Sequence, residues 1–323
     1  MRFGIRLGHA LAMASACALA VPAAAQNWPV RPVRIIVPYN PGGGVDVVMR
    51  LMAPKLSENT GGTFVVENRA GGGGVVGSEV VARAAPDGHT LLASANEFVL
   101  NPIFNSKLPY DPLKSFAFIT QLAAVQFIVA SHPSVPAKTV TELVALSKSR
   151  PGQLTFGSAG TAGGPHLAGE LFQSMAGIRW VHVPFNSTRS VVGLISGEVD
   201  VILAATVGLL ETVRSGRARA IAVTGSKRFA GLPDVPTVNE SGVPGYIATG
   251  FYGFYAPAGT SPELVRRIHT EATRALANPD VKERLARIGT EIVTSSPEEF
   301  TGFLRGEMAK WSKVVKESDI RIH

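Results

Sequence analysis

Three glycine-rich stretches hold most of the chemistry this sequence can offer: Tyr39-Asn40-Pro41-Gly42-Gly43-Gly44-Val45-Asp46, Asn68-Arg69-Ala70-Gly71-Gly72-Gly73-Gly74 and Gly157-Ser158-Ala159-Gly160-Thr161-Ala162-Gly163-Gly164. A glycine-rich loop that joins a strand to a helix points free backbone N–H groups at a ligand, and the helix dipole adds partial positive charge there. It can hold a carboxylate without any charged side chain. Ser158 and Thr161 would add hydroxyl donors. Glycines also serve simply to permit tight turns with positive φ, and for any one loop the two readings weigh equally. Three such loops at equivalent places favour one shared anion site at the carboxyl ends of parallel strands.

Other chemistry finds less support. Gly72, Gly74 and Gly77 match the spacing G-x-G-x-x-G of a dinucleotide loop, but a run of four glycines matches many patterns, and Glu97 lies beyond the next strand rather than at its end. Ser158 lacks the first glycine of a nucleophile elbow. His89, His132, His166, His182 and His269 are scattered without metal-ligand spacing, so neither metal nor cofactor is expected. His166, near a helix start, is read as a residue that fixes a site loop. Asp46 would repel an anionic ligand, so it is expected at the site as a brace facing its own backbone. Arg189, after Asn186, Ser187 and Thr188, could grip a carboxylate with two parallel hydrogen bonds or stand solvated. Tyr39 and Phe185 are the aromatic residues on these loops and the candidate walls.

The elements that must position these residues follow from the pattern of the chain. Short Val- and Ile-rich runs alternate with amphipathic stretches, the signature of βα units around a largely parallel sheet. Strands are expected at 33–38, 63–67, 89–94 and 153–156, with loops at 39–44, 68–74 and 157–164. Helices are expected at 46–58, 75–84 and 165–175, the last with Pro165 in its first turn. The apolar run 118–131 reads as a strand crossing into a second lobe. Prolines at 233, 236 and 244 interrupt regular structure, and helices follow at 262–277, 280–288 and 297–315.

The start of the chain carries Arg2 and Arg6, an apolar run over 7–21, Pro22 and three alanines at 23–25. That is the form of a cleavable secretory signal over 1–25, too short to span a bilayer, and it predicts export to the periplasm. The single cysteine, Cys17, falls inside it, so the mature chain has neither disulfides nor thiol chemistry. The formal charge of +7 is mild for 323 residues, and no basic stretch interleaved with aromatics points to nucleic acid. The length suggests two lobes.

Further along the same residues a family resemblance emerges. Val33 to Pro38 leading to Pro41-Gly42-Gly43 and Asp46, Val65-Val66-Glu67-Asn68-Arg69 with its glycine run, and Ala85-Pro86-Asp87-Gly88-His89 resemble the Bug proteins. So do Leu108-Pro109-Tyr110-Asp111-Pro112, His166 to Phe172, His182-Val183-Pro184 and Leu232-Pro233-Asp234-Val235-Pro236-Thr237. These are the TctC-like periplasmic solute-binding receptors of tripartite tricarboxylate transporters. The resemblance covers the mature chain. It implies an α/β, type II periplasmic binding fold of two lobes joined by crossing strands, lobe 1 comprising 26–122 and 250–323 and lobe 2 comprising 123–249. It further implies a monomer without catalytic activity that captures a small organic carboxylate and delivers it to membrane permease subunits. The alternatives are a carboxylate sensor for a membrane histidine kinase and, more remotely, a nucleotide-dependent enzyme. In the family the ligand carboxylate is held by two pincer loops, here Tyr39, Pro41, Gly42, Gly43 and Asp46 with Gly72 and Gly73. The loop from Ser158 to Thr161 would grip from the second lobe, with His166 beside it as a loop-fixing residue. The chain departs from the family at Phe185, Asn186 and Arg189, and at Ala204, where an aspartate is common, so its distal pocket should be distinctive.

Overall fold

A computed structural model describes residues 28–185 and 189–317; the signal sequence expected over 1–25 and Asn186 lie outside them. The chain begins β1 (Val33–Val37), α1 (Gly44–Thr60), β2 (Phe64–Asn68), a 3-10 turn at Gly72–Gly74, α2 (Val75–Ala82), β3 (Thr90–Ser94) and α3 (Glu97–Phe104). The long strand β4 (Phe116–Ser131) leads into α4 (Val140–Ser149), β5 (Thr155–Ser158), α5 (Gly164–Ala176), β6 (Val181–Pro184), α6 (Arg189–Ile195), β7 (Val201–Ala205), α7 (Thr206–Arg214) and β8 (Arg219–Val223). The chain returns through β9 (Thr249–Pro257) to α8 (Pro262–Ala277), α9 (Pro279–Arg287), the short β10 (Glu291–Ile292) and α10 (Pro297–Glu317).

The strands form two α/β lobes that share β4. In the first lobe β1 lies parallel to β2 and β3, while β9 runs antiparallel between β3 and β4. In the second, β5 is parallel to β6 and β7, and β4 pairs antiparallel with β7 and β8. The change of partner occurs within β4 itself. Residues up to Gln126 pair with β9, ending at Gln126↔Thr249, and Phe127 onward pairs with β7. One continuous strand thus ties the lobes, as the sequence reading of 118–131 anticipated.

Each lobe is stabilised by burial of helix stripes on the sheet. Ile35, Ile36 and Val37 of β1 are fully buried, as are Val48, Met49 and Met52 of α1. Helix α8 buries Leu264, Ile268, Ala272 and Ala275, the three-to-four-residue repeat of an amphipathic helix, and packs against α1. Complete burial of one such leucine or isoleucine contributes about 1.5–3 kcal/mol. No described helix is long and apolar enough to cross a membrane.

In the first lobe, α3, β9 and the two-residue β10 have no counterpart in the sequence reading. Helix α3 occupies 97–104 and contains Pro102. Strand β9 is buried along nearly its whole length, so it shows a continuous apolar run instead of the alternation that marks a half-exposed strand. Ser158 is also displaced from expectation: it ends β5 rather than lying in the loop expected over 157–164, and it is fully buried.

Candidate functional site

The first turns of several helices converge between the lobes. Gly43, Gly44 and Val45 open α1; Gly72–Gly74 precede α2; Asn96 and Glu97 open α3; Gly163 and Gly164 open α5; and Ala205 precedes α7. All of these residues line one cavity of about 720 Å³, a size suited to a small-molecule ligand. None of these helices receives a hydrogen bond from the side chain of its own N-cap residue.

Four helices whose first turns lie elsewhere behave differently. Thr139 caps α4 through the Glu142 N–H, Ser261 caps α8 through Leu264, and Asn278 caps α9 through Asp280. At α10, Ser296 and Glu299 form a reciprocal capping box. An uncapped first turn leaves N–H groups that water or a ligand must satisfy. Glu97 takes its own N–H and that of Gly164, so it is the first turns of α1, of the glycine turn and of α7 whose donors and dipoles make the cavity a site for a negatively charged group. No lysine, arginine or histidine is among its described lining residues.

The glycine turn shows why its residue type is required. Gly72, Gly73 and Gly74 have φ of 57°, 62° and 94°, a left-handed succession that side-chain-bearing residues resist. Gly44 is required for a different reason, because a Cβ there would fall 1.9 Å from the Tyr252 hydroxyl.

Tyr39 joins the first loop to the cavity floor. Its hydroxyl donates to Glu97 Oε2 at 3.0 Å and accepts from the Ala95 N–H at 3.0 Å. With its one proton committed, Ser94 Oγ at 3.0 Å must donate to it. Burial, and then the nearby Glu97 carboxylate, push the Tyr39 hydroxyl well above the usual phenol range. Asp46 is turned away from the cavity and only 2% exposed. It accepts from the Gly42 N–H, Arg50 Nε and Asn68 Nδ2, each at about 2.9 Å. Burial pushes its carboxyl up, but these hydrogen bonds outweigh burial and hold it below the usual carboxylate range.

In the second lobe the histidines brace the loop. His166 Nδ1 accepts from the Ala162 N–H at 3.0 Å, holding a residue whose φ is +63°. Its ring stacks on His182 with centroids 3.7 Å apart. Ser158 Oγ donates to the Gly160 carbonyl at 2.8 Å and so accepts from His182 Nε2 at 2.8 Å. Burial, with His166 alongside, lowers the His182 pKa to about 3, so this ring is neutral.

Of the residues singled out in the sequence, Tyr39, Gly43, Gly72, Gly73, Thr161 and Phe185 come together on the cavity wall. Asp46, Ser158 and His166 are buried behind it and bind loop backbone, while Pro41 and Gly42 are exposed on the first loop; none of the five is among the lining residues. Arg189 is also outside the lining. It is exposed, pairs with Glu198 at 3.4 Å and lies 5.7 Å from the centre of the Phe185 ring. Ala204 is buried in the second lobe's own apolar cluster, while its neighbour Ala205 reaches the cavity.

Sequence reading missed Asn96, Glu97, Asn101 and Phe127 as lining residues and assigned Tyr252, which also lines the cavity, to the core. Asn96 and Glu97 follow the third parallel strand of the first lobe, the position the glycine loops take after the other two. That topological equivalence was the available signal, hidden because no glycine marks it. The Tyr252 hydroxyl is held above the usual phenol range by burial and then by Glu97, and no hydrogen bond offsets that effect. Among the described residues no cluster of three or more acidic, cysteine or histidine side chains could hold a metal ion.

Residues 48–320 match the family described as tripartite tricarboxylate transporter family receptor. Protein BugT of Bordetella pertussis is 33% identical over 307 residues, which cover 94% of each chain. The solved structure of R. palustris Rpa4515 with adipate superimposes with a TM-score of 0.87 at 31% identity, covering 91% of this chain and 99% of that one. The periplasmic binding protein BugD gives a TM-score of 0.85 at 30% identity, covering 91% and 99%.

Proposed function

The chain belongs to the tripartite tricarboxylate transporter receptor family, and on that premise we propose that it captures a small organic carboxylate between its lobes and passes it to membrane permease subunits. Family members are periplasmic receptors, and the signal-like segment over 1–25 would bring this chain to the same compartment. We take residues 26–122 and 250–323 as the first lobe and 123–249 as the second. The partner change at Gln126 and Phe127 of β4, four residues past the first boundary, supports that division. The protein acts as a monomer and performs no reaction on its solute.

One observation carries the reading: helices with no N-cap side-chain hydrogen bond open onto one cavity, while α4, α8, α9 and α10, which open elsewhere, are capped. An uncapped end facing an empty groove costs stability unless an anion or water completes it. Held from both lobes, a carboxylate favours the closed arrangement by the difference in its affinity for closed and open forms.

The test is a thermal-shift screen of residues 26–323 against aliphatic and aromatic carboxylates, their amides, and nucleotides. A carboxylate at 100 times its Kd is expected to add about 2.7 kcal/mol of stability, with its amide giving no shift. Stabilisation by a nucleotide and by no carboxylate would overturn the reading.

A further inference from the structure

Glu97 is the one charged side chain among the described residues lining the cavity. It belongs to the first turn of α3, in the first lobe, yet its carboxylate reaches the opening of α5 in the second. A Cβ placed on Gly163 would fall 2.8 Å from Glu97 Oε1, and the Gly164 N–H lies against the same carboxylate. Its other oxygen, Oε2, accepts from Tyr39. The protein thus supplies its own anion to one of the helix ends that face the cavity. The first turns of α1, of the glycine turn and of α7 are left for the solute.

We propose that Glu97 sets the charge of the solute's far end: a carboxylate docks at α1 and the glycine turn, and the opposite end, near α5, must be neutral or cationic. The proposal rests on the carboxylate-binding reading above and narrows it. A second carboxylate at the α5 end would meet a like charge at short range in a site with no cationic side chain, and such repulsion is as effective as attraction in setting specificity. An ammonium or hydroxyl group there would instead find an acceptor. The groups facing Glu97 are the hydroxyls of Tyr39 and Tyr252 and the first-turn N–H groups of Glu97 itself and of Gly164; these N–H groups are already taken by the Glu97 carboxylate, and nothing else there offsets a second negative charge. Burial raises the Glu97 carboxyl above its usual range, consistent with a group short of water.

A merely structural latch would make the same contacts, so the test must separate the two roles. Isothermal titration at pH 7.5 would compare hexanoate, adipate and 6-aminohexanoate, which share a six-carbon chain and differ in the charge of one end. The mature protein and its near-isosteric variant Glu97→Gln would be used. The wild type is expected to bind 6-aminohexanoate at least tenfold more tightly than adipate. Glu97→Gln is expected to tighten adipate at least tenfold, weaken 6-aminohexanoate at least tenfold, and leave hexanoate within threefold. Equal adipate affinity in the two proteins, or a shift of all three probes in the same direction, overturns the assignment. Binding of none of them to either protein also overturns it, while the wider thermal-shift screen separately decides whether the carboxylate reading stands.

Discussion

Polar side chains around the cleft act mainly on the loops that carry the backbone donors. Asp46, Ser158 and His166 each bind loop backbone from behind the wall. Their effect on a solute is therefore indirect. The stacked histidines give this scale a pH signature. An unfolded chain protonates His182 near pH 6.5, whereas the folded protein resists protonation down to about pH 3. Stability from this residue is complete above about pH 6.5 and falls as pH drops below it. Melting temperatures measured from pH 7.5 to 4.5 are expected to decline less steeply in His182→Gln than in the wild type. Parallel curves would contradict a neutral His182. The type of residue at these positions was legible in the sequence and its direction was not. A histidine near a glycine loop reads alike whether it faces a ligand or the loop, and Arg189 reads alike whether it grips a carboxylate or, as found, pairs with Glu198 at the surface.

At the scale of the element, capping divides the helices by where their first turns lie. Ser261→Ala removes the cap of α8 and is expected to cost about 1 kcal/mol of stability while leaving carboxylate affinity within twofold. Gly44→Ala drives a methyl group into the Tyr252 hydroxyl at the opening of α1 and is expected to weaken carboxylate binding at least tenfold. Thermal melts and titrations of the two variants check both, and the reverse pattern would contradict the assignment of α1 to the site. Helices such as α8 could be read from sequence because a serine cap, a first-turn proline and a regular apolar stripe agree. Strand β9 could not, because cover on both faces erases alternation, and α3 could not, because Pro102 interrupts its pattern. The loss of α3 also hid Glu97 as a lining residue, since no helix opening was expected there.

Across the whole molecule, β4 is shared by both lobes, and the cavity lies beside the point where it changes partner: Val125 and Phe127 line the wall on either side of Gln126. Movement of one lobe against the other would therefore pivot close to the solute and alter the wall it touches. The two-lobed α/β architecture was legible from the alternation of strands and helices and from the long apolar run that became β4. The identity of the solute was not, because recognition through main-chain N–H groups depends on backbone conformation and leaves few side-chain marks. The most direct measurement is a crystal structure of the mature protein with the strongest-binding carboxylate from the thermal-shift screen. Its carboxylate oxygens are expected within about 3 Å of the first-turn N–H groups of α1 and of the Gly72–Gly74 turn. A carboxylate held by a lysine or arginine side chain, or lodged outside the cavity between the lobes, would contradict the account.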